Sequence, residues 1–273
     1  MPQLELEGMS MHYDQLGDGP DLVWIAGGGM LGSHWHRWLV PYFADSWRQT
    51  TFDNRGIGGT SCNLPEPWTI ADMARDAAAL IDEVCDPPVA AVGLSMGSLI
   101  AIQLALDRPD LLLCAVAMGT FAHGHRGWVG DYMRAQVALR RQGAKLDGMF
   151  AVIHYAAELY PARVLGDGAC WPAIRDSFSS ETVSENERSL IPQWQACIDF
   201  DVVARLPGLR VPLHVFAFSQ DVQAPPQYGR QVADLVPGAE YHVFEGMGHA
   251  SALGHAHDVL NPAIQSVIRH YLR

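Results

Sequence analysis

The chain alternates short apolar runs with longer stretches whose apolar residues recur every three to four positions. Residues 3–16 carry two alternating patterns, Leu4 and Leu6, then Met9, Met11 and Tyr13, and predict two strands about a turn at Gly8. Leu22-Val23-Trp24-Ile25 is apolar at every position, as a strand buried on both faces requires. Gly27-Gly28-Gly29 ends it, and a helix is expected from about Ser33 to Ala44. The next strand is Gln49-Thr50-Thr51-Phe52, followed by Asp53 and a glycine-rich loop from Arg55 to Thr60. Thr69, with Asp72 three residues on, reads as a capping-box helix start. The helix that follows sets Ile70, Met73, Ala74, Ala77, Leu80, Ile81 and Val84 on one stripe. Val89 to Val92 is a strand, Leu99 to Leu106 lies in a helix, and Leu111 to Met118 is another strand.

From residue 120 to about 197 the alternation gives way to helix-like pieces rich in aromatics. It resumes with Pro212 to Phe218, a helix near 226–236, the strand Glu240 to Phe244 and a helix near 257–271. Alternating strands and helices imply an α/β fold, a mostly parallel sheet with helices on both faces. The expected organisation is a core formed by 1–119 and 198–273, with a helical cap over 120–197 at the carboxyl edge of the sheet, where such folds place their sites.

One stretch carries the chemistry. Gly93-Leu94-Ser95-Met96-Gly97 stands between a strand and a helix, the context of a nucleophile elbow. The chain reverses so sharply at such a serine that the positions two before and two after it must be small. The turn lifts the hydroxyl clear of the sheet and aims the N–H of Met96 at a developing oxyanion. A serine hydroxyl needs a base, and the base needs a partner that fixes its tautomer. His249, in Gly246-Met247-Gly248-His249-Ala250, follows the last predicted strand, and Asp221 follows the strand before it. Asp199 and Asp201 also fall near the return to the core, and read better as solvated turn residues.

The order Ser95, Asp221, His249, with Gly27-Gly28 after the third strand and Asp53-x-Arg55-Gly56-x-Gly58, resembles the α/β-hydrolase superfamily, of the kind with a helical cap. The resemblance covers nearly the whole chain outside 120–197. It implies that Ser95 is the nucleophile, His249 the base and Asp221 its orienting acid, with the N–H groups of Gly28 and Met96 as oxyanion hole. Two positions depart from the pattern. Ala26 stands where many relatives carry histidine, and Ser98 where a second glycine often follows the elbow.

Composition narrows the partners. A net charge of −12 on 273 residues argues against nucleic acid and anionic membranes, and leaves a small-molecule substrate. No apolar stretch spans a bilayer and no N-terminal segment reads as a secretory signal. The five scattered cysteines read as reduced thiols, so a cytoplasmic location is expected. The pairs His34/His36, His123/His125 and His255/His257 lack the further ligands zinc needs, so no metal and no cofactor is expected. Arg55 reads as structural. Gly27-x-Gly29-x-x-Gly32, with Asp53 about 20 residues on, also matches a dinucleotide fingerprint. That reading leaves the elbow, Asp221 and His249 unexplained, and its motif sits after a hairpin rather than in the first βαβ unit.

Residues 120–197 hold Trp128, Tyr132, Met133, Met149, Phe150, Ile153, Tyr155, Tyr160, Trp171, Phe178 and Trp194. Most must form that segment's own core. The remainder, with Trp128, Tyr132, Phe150, Tyr155 and Trp194 as candidates beside His34 and Trp35, would line a pocket for a bulky apolar substrate. The expected reaction is hydrolysis of a carboxylic ester, lactone or thioester through an acyl-enzyme. The alternatives are C–C bond hydrolysis or a cyclase or lyase step on the same fold, and, more remotely, dinucleotide binding.

Overall fold

The computed structural model describes residues 2–144, 146, 148–179 and 187–272. A nine-stranded sheet runs through them. Its strands are β1 (Gln3–Leu6), β2 (Met9–Leu16), β3 (Asp21–Ile25), β4 (Arg48–Phe52), β5 (Ser61–Cys62), β6 (Val89–Leu94), β7 (Leu112–Met118), β8 (Leu213–Phe218) and β9 (Glu240–Phe244). The order is β1-β2-β4-β3-β6-β7-β8-β9, with β5 paired to β2. Strands β4 to β9 along this path pair in parallel, and only the β1–β2 hairpin, its link to β4 and β5 are antiparallel. Strands β3, β6 and β8 are buried at every residue, which explains why they read as nearly continuous apolar runs, with Asp21 at the start of β3 and His214 in β8 the polar exceptions.

The helices are α1 (Val40–Phe43), α2 (Ile70–Val84), α3 (Met96–Asp107), α4 (Gly127–Arg141), α5 (Gly148–Leu159), α6 (Ala162–Leu165), α7 (Cys170–Ser179), α8 (Glu187–Asp199), α9 (Pro226–Leu235) and α10 (His257–His270). Helix α2 starts at the capping box read from Thr69 and Asp72, whose reciprocal bonds are both made. It buries the predicted stripe against one face of the sheet, beside α3 and α9. The other face is covered by α10 and by Trp24, Trp35, Phe43 and Trp47.

The helix expected from Ser33 to Ala44 does not form as one piece. A 3-10 turn spans Gly32–Arg37 and α1 follows separately. Pro41 has no N–H to continue the ladder, and both Trp35 and Phe43 must reach the Trp24 ring, at 5.2 and 5.3 Å. Strand β5 was not predicted, since two residues carry no period.

Between β7 and β8 the described residues lie mostly in helices α4 to α8. Helices α4 and α8 join the core of the first face through Val129, Met133, Val137, Ala196 and Ile198. Tyr160, Val164 and Ile174 form a smaller cluster with Ala156 and Ala250. No helix among the described residues is long and apolar enough to cross a membrane. All five cysteines are free thiols.

The turn between β6 and α3 is among the tightest places in the fold. Ser95 has φ 56°, the one positive value at a described non-glycine residue. A Cβ at Gly93 would stand on the Gly97 carbonyl and 2.7 Å from the Ser98 nitrogen. A Cβ at Gly97 would strike the Ile25 carbonyl and come 2.8 Å from that of Ala26. Both obstacles are backbone and cannot rotate away. Gly97→Ala is therefore expected to destabilise the protein by about 3 kcal/mol or more. Urea unfolding measures this, and a loss under about 0.5 kcal/mol, the range of a neutral surface change, would contradict the crowding.

Candidate active site

Four strand ends gather around Ser95. The Ser95 N–H donates to the Met118 carbonyl at the end of β7, 2.9 Å away. The loop after β3 runs alongside, so that a Cβ at Gly27 would lie 3.4 Å from the Ser95 Cβ. The loops after β8 and β9 are joined by the Gln220 N–H to the Met247 carbonyl at 2.8 Å. They carry Asp221 and His249.

His249 Nδ1 donates to Asp221 Oδ2 over 2.7 Å, and both side chains are buried. A carboxylate only accepts, so the proton sits on Nδ1 and Nε2 presents its lone pair. The other carboxylate oxygen, Oδ1, accepts the N–H groups of Gln223 and Ala224, each at 2.8 Å. Asp221 is thus committed on both oxygens, and His249 Nε2 is buried without a hydrogen-bond partner among the described residues. Sequence reading missed Gly119, which makes room for this pair. It has φ +59°, and a Cβ there would lie 3.0 Å from His249 Cε1 and 3.3 Å from Asp221 Oδ2. A glycine ending an apolar strand was the available signal.

The N–H of Met96 is at the first turn of α3, where it has no partner within the helix and the helix dipole favours negative charge. Gly28 sits opposite, under the Trp194 indole. The two departures from the family pattern are absorbed locally. The Ala26 carbonyl is held by Asn54 Nδ2 at 3.0 Å, and the Gly29 N–H by the buried amide of Gln193 at 2.9 Å. Gln193 also donates to the Arg55 carbonyl. The Ser98 hydroxyl donates to the Ser95 carbonyl at 2.6 Å.

Two cavities meet at the serine. The smaller, about 70 Å³, is lined by Gly28, Ser95, Met96 and His249 with apolar walls from Phe121, Val129 and Met133. Cys197 also lines it, and burial pushes that thiol up to about 12, which leaves it protonated and inert. The larger, about 380 Å³, extends past His34, Tyr155, Leu159, Tyr160 and Leu253. Gly28, Ser95, Trp194, Gln223 and His249 are common to both.

Of the candidate lining residues, Tyr132 faces the small cavity, His34 and Tyr155 the large one, and Trp194 both. Burial lowers the His34 imidazole below its ordinary value, which keeps it neutral near pH 7. Three candidates do not line either cavity. Trp35 is fully buried against Trp24 in the core, because the 3-10 turn sends it to the sheet while its neighbour His34 faces the cavity. Phe150 is 67% exposed, since α5 turns Val152 and Ala156 inward and leaves Phe150 outside. Trp128 is 56% exposed and donates its indole N–H to the Val222 carbonyl at the surface.

The dinucleotide reading loses its ligands. Asp53 is buried, accepts the N–H groups of Gly32 and Gly59 at 2.8 and 2.9 Å and contacts His12 at 3.2 Å, so it holds the loop rather than facing a ribose. Arg55 makes a buried two-point pair with Asp76 at 2.7 and 2.8 Å, the structural role expected of it. Asp199 and Asp201 are exposed or in turn contacts, remote from the His249 partner position. Among the described residues, the metal-type grouping is His214, Glu240 and His242 on the outer edge of the sheet. There the His214 and His242 nitrogens are already 3.3 Å apart in a mutual hydrogen bond, and His214 Nε2 bonds the Tyr271 hydroxyl.

Residues 22–256 match the family model described as the alpha/beta hydrolase fold. A putative non-heme bromoperoxidase, BpoC, of Mycobacterium tuberculosis is 32% identical over 261 residues, 88% of this chain and 91% of that protein. Its crystal structure superposes with a TM-score of 0.88 and covers 96% of this chain and 97% of that one. A putative carbamate hydrolase, RutD, of Variovorax paradoxus is 28% identical over 257 residues, 91% of this chain and 92% of that protein. The enol-lactonase of Burkholderia xenovorans LB400 shares the fold, with a TM-score of 0.81 over 99% of each chain at 23% identity.

The division between core and exposed aromatics is testable by stability. Trp35→Ala is expected to cost about 3–5 kcal/mol, and Phe150→Ala less than about 0.5 kcal/mol, in urea unfolding. Similar losses for the two would contradict the placement.

Proposed function

Because the chain belongs to the alpha/beta hydrolase family, we propose that it is a serine hydrolase acting on a carboxylic ester, lactone or thioester through an acyl-enzyme. The observation that carries this reading is the state of His249. Its Nδ1 is locked to Asp221, while its buried Nε2 has no partner among the described residues and borders both cavities with Ser95. A buried lone pair left unpaired is costly, and a serine hydroxyl or an incoming water relieves that cost.

In this mechanism Nε2 takes the Ser95 proton as the oxygen attacks the scissile carbonyl carbon. The oxyanion forms against the N–H groups of Met96 and Gly28, which need no reorganisation to receive it. The imidazolium then returns the proton to the leaving oxygen or sulfur, and the leaving group departs. Water, deprotonated by the same nitrogen, releases the acid and restores Ser95. The unequal cavities support a substrate with a small group on one side of the reacting carbonyl and a bulky, mostly apolar group on the other.

Ser95→Ala should lower kcat/KM on p-nitrophenyl acetate by roughly 10⁴-fold or more and abolish fluorophosphonate labelling. Labelling that survives in Ser95→Ala would identify another nucleophile. Asp221→Asn should cost about 10³–10⁴-fold, since an amide holds the wrong tautomer of His249. Asp201→Asn should stay within about twofold, as expected of a surface residue. The reverse ranking would reassign the acid.

A further inference from the structure

The amide of Gln223 is fixed end for end by a partly buried polar network. Glu158, in the last turn of α5, accepts the Tyr132 hydroxyl, and its other oxygen lies 3.3 Å from Gln136 Nε2 and 3.2 Å from His154 Nε2. Burial, and then the Glu158 charge, push the Tyr132 phenol far above its ordinary range, so its proton stays on and points at the carboxylate. Gln223 Nε2 lies 2.9 Å from the Tyr132 oxygen and 3.4 Å from Glu158 Oε2. Both neighbours can only accept from Gln223: the carboxylate has no proton, and the phenol has already given its own. Turning the amide over would set its oxygen against two oxygens. The main-chain N–H of Gln223 is meanwhile bound to Asp221 Oδ1. The residue is tethered at both ends, and its Oε1 makes no hydrogen bond among the described residues.

Gln223 lines both cavities at their junction, with Ser95, His249, Gly28 and Trp194. The network leaves Gln223 Oε1 as an uncommitted acceptor beside Ser95 and His249, in walls that are otherwise largely apolar. From the serine-hydrolase reading, on which this rests, we infer that Gln223 Oε1 is a substrate subsite. It accepts a hydrogen bond from an O–H or N–H close to the scissile carbonyl on the acyl group. The acyl group stays on Ser95 through both half-reactions, so a contact at the junction of the cavities acts on each. The favoured substrates are esters or thioesters of acids that carry such a donor near the carbonyl, hydroxy acids first among them. An acyl group without the donor desolvates Oε1 and leaves it unpaired, which is how a polar site rejects an apolar analogue. Tyr132 and Glu158 act through Gln223 and are positioning residues.

The test uses isosteric pairs of p-nitrophenyl esters, glycolyl against propionyl and 3-hydroxybutyryl against 3-methylbutyryl. In each pair a hydroxyl replaces a methyl. The quantity read is the hydroxy-to-methyl ratio of kcat/KM, and its change between proteins cancels the intrinsic reactivity of the esters. In at least one pair the wild-type ratio should exceed that of Gln223→Met by about 10-fold, the worth of one good hydrogen bond. Glu158→Gln, which frees the Gln223 amide to turn over, should lower the same ratio with Gln223 still present, and it carries the test if Gln223→Met folds poorly. Ratios equal within twofold in wild type and both variants, for both pairs, would overturn the subsite. Turnover of the propionyl ester and phosphonate labelling of wild type report on the serine-hydrolase reading separately. Their absence would sink that reading, whereas their presence with unchanged ratios would sink the subsite alone.

Discussion

The fold turns on a steric contact in which no side chain takes part. Gly93 and Gly97 bring the backbone of the elbow so close to itself and to the Ile25 and Ala26 carbonyls that a single added carbon has nowhere to go. That closeness holds Ser95 at a positive φ, an unfavourable conformation for a residue with a side chain. The surrounding structure over-determines it. The Ser95 N–H is tied to the end of β7, and α3 begins at the next residue with its N-terminal N–H groups turned toward the site. Because β6 lies between β3 and β7, the glycine loop after β3 and Gly119 after β7 both arrive beside the serine.

Around that fixed point, polar groups are satisfied in an order that leaves particular atoms unpaired. Asp221 spends one oxygen on its own loop and the other on His249. The His249 loop is clamped from the helical segment, where the Leu159 carbonyl accepts the Ala250 N–H at 3.0 Å. Gln193 reaches across from α8 to hold the Gly29 N–H. At the junction of the cavities, His249 Nε2 and Gln223 Oε1 are left without a hydrogen-bond partner among the described residues. A buried polar network contributes more to geometry than to net stability, since well-packed apolar residues would fill the same space at similar cost.

The helical segment between β7 and β8 contributes in two ways. Helices α4 and α8 complete the core of one face, so they are bound into the sheet's hydrophobic cluster. Their inner ends, with α5, supply Tyr132, Trp194, Gln223's partners and the far wall of the larger cavity. A change in these helices thus alters stability or the cavity walls according to which surface it touches.

Most of the framework was legible in the chain because it rests on local patterns. The elbow glycines, the Thr69 capping box, the buried strands and the order Ser95, Asp221, His249 each follow from steric, capping or burial rules that act within a few residues. The same rules failed where two distant elements compete for one residue. Trp35 and His34 are neighbours with opposite destinations, decided by the Trp24 ring beneath the turn. Phe150 and Trp128 looked like pocket aromatics, yet the pitch of α5 and the position of Val222 put them at the surface. Gln223 carried no signal beyond its place two residues after Asp221, because its meaning comes from Tyr132 and Glu158 on other helices. His214 and His242 lie 28 positions apart, and only the register of β8 on β9 joins them. The sequence by itself determined the fold class and where Ser95, Asp221 and His249 stand on it, since strand ends and tight turns are set by near neighbours. The tertiary structure decided which side chains face the cavities and which polar atoms are left free, because both depend on contacts between elements far apart in the chain.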